Sequence, residues 1–170
     1  HSKTQYKGRY ADKPHTVLGN NEPLRGWKGD VYEGGIRVPG FVNWKGTVDS
    51  RKCSTPIHIA DWMPTLCALA GCSMKRDLQW DGANVWPQLS GKKQNPPERP
   101  LYWKTRNDAA VRQDGWKLIQ TGQGEEVELY HIAKDPLEKK NMAKEKPEKV
   151  KELKRLLQRM MAKDGKKEKD

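Results

Sequence analysis

The run "RPLYWKTRNDAAVRQDGWKLIQTGQGEEVELYHI", residues 99–132, decides the second half of the fold. It contains four short strand-like segments, RPLYWKT, AAVRQ, WKLIQ and EVELYHI, rich in β-branched and aromatic residues and separated by turn formers. Asp114-Gly115 stands between the second and third with two-residue spacing, the strongest short-range hairpin signal. Residues 121–124 make the next turn. The spacing predicts an antiparallel meander of four strands.

Beyond the meander comes "PEKVKELKRLLQRMMAKDG", residues 147–165. Pro147 opens a helix, Val150, Leu153, Leu157, Met160 and Met161 recur at helical spacing, and Gly165 ends it. Charged residues cover the opposite face. Such a Leu and Met stripe is core far more often than interface, so the helix is expected to lie on the meander, with a partner-binding helix as the alternative.

Before the meander the pattern changes. Residues 78–100, "LQWDGANVWPQLSGKKQNPPERP", form a connector with a proline cluster and turn dipeptides, and place a boundary near residue 95. Upstream, "HIADWMPTLCALAGC", residues 58–72, reads as a helix. Asp61 is the N-cap, Pro64 falls in the first turn, Trp62, Leu66, Leu69 and Ala70 share a face, and Gly71 is the C′ residue. "GIRVPGFVNW", residues 35–44, reads as a strand interrupted at Pro39, and residues 1–22 read as a surface loop. The chain is thus expected to comprise residues 1–95, the trailing part of a larger α/β domain with too little regular structure to enclose its own core, and residues 96–170, a small α+β unit.

Composition supports a chain that leans on something else. The hydrophobic fraction is 34% and the mean hydropathy −1.03 over 170 residues, against about 45–50% apolar residues plus glycine in an ordinary globule. The net charge of +11 is uneven: from residue 134 onward there are 14 Lys and Arg against 8 Asp and Glu. That basic tail is mixed with Glu and nearly free of aromatics, so no nucleic-acid partner is expected. No apolar run approaches the roughly 20 residues of a membrane span. A chain that opens at His1 rather than methionine is expected of a processed protein or an excised piece. Cys53, Cys67 and Cys72 form no metal-type CxxC pair. Cys67 and Cys72 leave a small disulfide open, with buried thiols the expected state.

The chemistry concentrates in "PLRGWKGDVYEGGIRVPG", residues 23–40, where five glycines surround Arg25, Lys28, Asp30, Glu33 and Arg37. A solvated turn is one reading and a site the other. Lys28 is the candidate anion contact, with Gly26 and Gly29 admitting close backbone approach. Arg25 is either a second anion contact or a clamp holding the loop. Glu33 is structural, ordering backbone N–H groups or pairing with an arginine such as Arg37. His15, His58 and His131 lack the spaced partners of a metal site or triad.

The pattern N-x-P-L-R-G-x-K-x-x-x-x-E-G-G-x-R-V-P, met by Asn21, Pro23, Leu24, Arg25, Gly26, Lys28, Glu33, Gly34, Gly35, Arg37, Val38 and Pro39, resembles the later part of the sulfatases. These are the arylsulfatase-like hydrolases of the alkaline-phosphatase-like superfamily. "DWMPT" and "DGANVWPQLSG" follow in the order that family would place them. The resemblance implies a large α/β domain ending near residue 95, then a four-stranded antiparallel sheet with a long helix. It implies a sulfuric ester hydrolase in which Lys28 contacts the sulfate group; Arg25 stays, from its own residue type and place, the second candidate for a substrate contact.

The resemblance also implies a formylglycine nucleophile, made from the cysteine of a C-x-P-S-R motif, and a calcium ion held by acidic residues and a D-N-G motif. Neither motif occurs here: the cysteines stand in CSTPI, CALAG and CSMKR. The nucleophile and metal ligands are therefore expected in an upstream part of the same chain, and the 170 residues alone are expected to be inactive. Family analogy points to a secreted, periplasmic or lysosomal setting and a sulfate-ester substrate, including sulfated carbohydrate. The alternative from another class is a non-catalytic module binding a polyanion or sulfated glycan.

Overall fold

The computed structural model describes residues 20–72, 80–95, 97, 99–122 and 126–164, and the backbone of residues 5–6 and 15–16. The chain divides into two compact units, one of residues His1–Val38 with Pro100–Asp170 and one of Pro39–Arg99. Residues 20–38, grouped in sequence with the connector that follows them, thus belong to the unit that holds the meander.

In that unit β1 (Gln5–Tyr6) and β2 (His15–Thr16) pair as a short antiparallel ladder within the stretch read as loop. A single helical turn, α1 (Glu33–Ile36), follows. The second unit holds a 3-10 turn, Ile59–Asp61, that runs into α2 (Trp62–Leu69), and then the short α3 (Trp86–Leu89). The meander of the first unit is β3 (Leu101–Lys104), β4 (Ala109–Gln113), β5 (Trp116–Thr121) and β6 (Glu126–His131), antiparallel in sequence order. Asp114 and Gly115, at φ 51° and 78°, make the hairpin turn their dipeptide predicts. The helix α4 (Pro147–Asp164) closes the chain; Gly165 and part of the turn over 121–124 lie outside the described residues.

The sheet is covered on both faces. Ala109, Val111, Leu118 and Leu129 pack on one face against Leu153, Leu156 and Leu157 of α4, with Val150 and Met161 alongside. Side chains alternate across a strand, so Ala110 and Ile119 point the other way, where they join Val31, Tyr32, Tyr130 and Ile132. Segment 20–38 is therefore the second cover. Burial on both sides explains why Ala109-Ala110-Val111 and Leu118-Ile119 run apolar without a polar alternate.

The unit Pro39–Arg99 is differently built. Val85 is its only buried apolar side chain among the described residues, while Phe41 is 94%, Ile59 78%, Met63 60% and Leu66 55% exposed. The expected apolar face of α2 is thus turned to solvent at Leu66 and Ala70, and the buried residue of that helix is Thr65, whose hydroxyl accepts the Val85 N–H at 3.0 Å. Gly71 does take positive φ, 66°, just after the helix.

Residues 35–44 correct the sequence reading: Gly35 and Ile36 end α1, and 37–44 form no strand among the described residues. Its β-branched and aromatic residues have no neighbouring edge to pair with, and β-propensity expresses packing on a sheet rather than a backbone preference.

Candidate functional site

Lys28 occupies the tip of a tight turn. The Asp30 N–H donates to the Trp27 carbonyl at 3.0 Å, and the Trp27 N–H donates back to Asp30 Oδ2 at 2.9 Å. Gly29, third of the four residues, has φ 104°, a position that excludes ordinary side chains. Of the two glycines expected to admit close approach, Gly26 does so, a Cβ there falling 2.9 Å from Tyr32 Cβ, while nothing lies within 4 Å of a Cβ added at Gly29; the tightest approach is at Gly34 and Gly35. A Cβ at Gly34 would collide with the carbonyls of Arg25 and Gly26, and one at Gly35 with those of Trp27 and Asp30. The bare face of α1 is thus the bench on which the turn rests, fixed by the Gly34 N–H donating to Arg25 O at 2.7 Å. Lys28 itself is exposed, and among the described residues it has no hydrogen-bond or ion-pair partner.

Arg25 lies three residues earlier and faces the sheet. Its guanidinium stacks 3.9 Å from the Tyr32 ring centroid and donates to Tyr130 Oη at 2.6 Å, Glu128 Oε2 at 3.0 Å and Tyr32 Oη at 3.1 Å. Burial works against its charge, but Tyr130, Glu128 and Tyr32 outweigh that and hold it above its ordinary value. Burial and the neighbouring Glu128 push the Tyr32 phenol up to about 12, so it stays protonated and donates to Glu128 Oε1 at 3.0 Å. With its donors so occupied, Arg25 works here as a clamp. Charged hydrogen bonds and a partly exposed cation–π contact of this kind make Arg25→Ala cost about 2 kcal/mol in a urea melt. Arg25→Lys should recover little of it, since a point charge cannot reproduce the fork.

Glu33 anchors the other flank. Its side chain is buried, and Lys117 Nζ donates to its Oε1 at 3.0 Å and to Glu138 Oε1 at 2.8 Å. Arg112 and Arg37 stand 3.9 and 4.0 Å from Glu33 Oε2, so the arginine expected as its partner is secondary to Lys117. Glu138 also accepts the Glu33 N–H at 2.8 Å. Burial pushes the Glu138 carboxyl up, against the pull of Lys117.

Lys117 and Glu138 escape a reading of the residues alone. The register pairs Lys117 with Arg112 and Tyr130, which puts it on the Ile119 face; a lysine inside the run WKLI was the one available signal. Glu138, in an ordinary connector, gives none.

The remaining candidates fall elsewhere. Asp61, expected as a helix N-cap, makes no cap bond to α2. Its buried carboxylate accepts the N–H groups of His58 at 2.7 Å and Ala83 at 2.9 Å and pairs with Arg99. His58 accepts the Ala60 N–H at Nδ1, and burial holds its pKa below the usual value. His131 packs edge-on against Trp116. The cysteines are free and, contrary to expectation, none is fully buried: Cys72 is exposed, and Cys53 and Cys67 are partly so. No group of three His, Cys, Asp or Glu among the described residues is arranged to hold a metal ion, so the residues present do not fit the calcium site. No described helix is long and apolar enough to cross a membrane.

Comparison with known proteins agrees with the geometry. Residues 26–167 match the family model described as N-sulphoglucosamine sulphohydrolase, C-terminal. Arylsulfatase J of Mus musculus is 31% identical over 84% of this chain and 32% of its own. The N-acetylgalactosamine-6-O-sulfatase of Bacteroides thetaiotaomicron is 29% identical over 88% of this chain and 32% of its own. The crystal structure of Ps i-CgsB superposes with a TM-score of 0.75 at 31% identity, over 83% of this chain and 32% of that one; it is also solved with k-i-k-neocarrahexaose bound. The chain therefore spans about a third of the length of these relatives. The matched region, the antiparallel sheet and its closing helix together place the chain in the sulfatase family, in correspondence with its C-terminal region.

Proposed function

We propose that this chain contributes to sulfate-ester hydrolysis and that Lys28 is its contact with the sulfate group. The observation that carries the reading is the Lys28 turn: an ammonium with no hydrogen-bond or ion-pair partner among the described residues, at the tip of a loop that is clamped on both sides. Cleavage of a sulfate ester develops negative charge on the sulfate and leaving oxygens, and a fixed cation stabilises it. Three donors let one ammonium bridge two oxygens.

The nucleophile and calcium that the family uses would come from residues outside this chain, since C-x-P-S-R and D-N-G are absent. The exposed apolar side chains of Pro39–Arg99 fit seating against that upstream part. A secretory, lysosomal or periplasmic setting is carried over from the family. The oligosaccharide bound by Ps i-CgsB favours sulfated carbohydrate as the substrate class. The test is direct. The purified 170-residue chain should release no product from an aryl sulfate above the uncatalysed rate, and measurable turnover would sink this division of labour.

The rival reading, a polyanion-binding module, draws on the groove lined by Lys146, just before α4, and by Lys149, Lys151, Arg155 and Arg159 on it. Glu148 and Glu152 interrupt it, and Lys149 is paired with Glu152 at 2.6 Å. Retention on heparin that disappears when residues 134–170 are removed, with Lys28 in place, would favour the rival.

A further inference from the structure

We propose that Glu138, together with Lys117, is the positioning residue for Lys28; the inference rests on the sulfate-contact reading of Lys28. The two flanks of the Lys28 turn meet at this one residue. From the front, Arg25 Nη1 reaches the Glu138 carbonyl at 3.5 Å. From behind, the Glu33 N–H donates to Glu138 Oε2, and Lys117 ties the Glu33 and Glu138 carboxylates together.

The cluster is expensive to build. Lys117, Glu33 and Glu138 are all within 2% of complete burial, where ions lose their hydration and are tolerated only when paired and hydrogen-bonded. Glu138 further holds φ 54°, a left-handed conformation that is strained for a non-glycine residue. A sheet needing only a cover would be served by apolar side chains, as its α4 face is. What the charged arrangement adds is geometry: two carboxylates around one ammonium fix α1, and the glycine face of α1 fixes the turn. Tyr130 and Glu128, on the same sheet face, hold Arg25. A contact that must meet developing charge loses its effect when displaced by about 1 Å.

The test has two arms. In the 170-residue chain, amide hydrogen exchange is followed for Asp30, Gly34 and Gly35 against the strand amides of β3 and β4. Glu138→Gln keeps the volume and the acceptor for Glu33 N–H while removing the charge. Glu138→Gly removes the whole side chain and relieves the positive φ, so a role confined to the backbone turn predicts a stabler chain with an unchanged loop. We expect at least tenfold faster exchange at the three loop amides in both, with the strand amides unchanged; unchanged loop exchange in Glu138→Gln overturns the proposal.

In the full-length enzyme, Glu138→Gln should lower kcat at least tenfold alone and add nothing once Lys28 is alanine, because the two act through one contact. A loss that persists at full size on the Lys28→Ala background overturns the positioning role. If Lys28→Ala itself leaves turnover intact, the sulfate-contact reading fails, while the exchange arm still judges the clamp.

Discussion

Lys28→Ala in the full-length enzyme should lower kcat toward a sulfate ester by about a thousandfold, the scale lost when one fixed donor to a developing oxyanion is removed. The fold should not notice. Lys28 is exposed at a turn tip and has no hydrogen-bond or ion-pair partner among the described residues, so its removal leaves no buried group unsatisfied. The turn is closed by Trp27, Asp30 and Gly29 rather than by the lysine. Thermal unfolding and the near-UV spectrum should therefore coincide with those of the parent. Lys28→Arg is the informative companion: it keeps the charge but not the compact ammonium, and should recover only part of the rate. A rate within threefold of the parent for Lys28→Ala would return the loop to a solvated turn.

The second large effect is on stability. Asp61→Ala should destabilise the unit Pro39–Arg99 by about 3–5 kcal/mol, the range for breaking a buried ion pair from one side. The carboxylate is wholly buried and holds three things at once: the His58 N–H, the Ala83 N–H and the Arg99 guanidinium. Removing it strands two backbone donors and a cation only 15% exposed, in a unit with little apolar core to compensate. Trp44 and Trp86 have ring centroids 5.5 Å apart in that unit and report on it by fluorescence. Their transition should move to much lower urea. Asp61→Asn, which keeps one acceptor and loses the charge, should fall between. A loss below 1 kcal/mol for Asp61→Ala would mean that water replaces the carboxylate and the site is not truly closed.

Asp61 shows where sequence reading stops. An Asp before an apolar run is a sound N-cap by local rules. Here two backbone donors and an arginine 38 residues away share the same carboxylate, and it makes no cap bond to α2. Arg25 is a similar case. Its place in the motif leaves both substrate contact and clamp open, with the clamp favoured, and only the tertiary structure names the partners from residues 128–130 that hold its guanidinium. The expected strand at 35–44 fails for the converse reason, a local propensity with no sheet to join.

What the sequence determined by itself is local or patterned. The Asp-Gly hairpin, the four-strand meander and the Leu stripe of α4 follow from two-residue and 3.6-residue periods that need no knowledge of the rest of the chain. The L-R-G-x-K and E-G-G spacing located the candidate lysine and the family likeness. The tertiary structure alone decided that residues 20–38 cover the second face of the sheet, that Gly34 and Gly35 form the bench under Lys28, and that Lys117 and Glu138 hold it. Those contacts join residues 84 and 105 positions apart. A buried charge has meaning only through its partner, and no period or motif within either segment encodes which distant residue that partner will be.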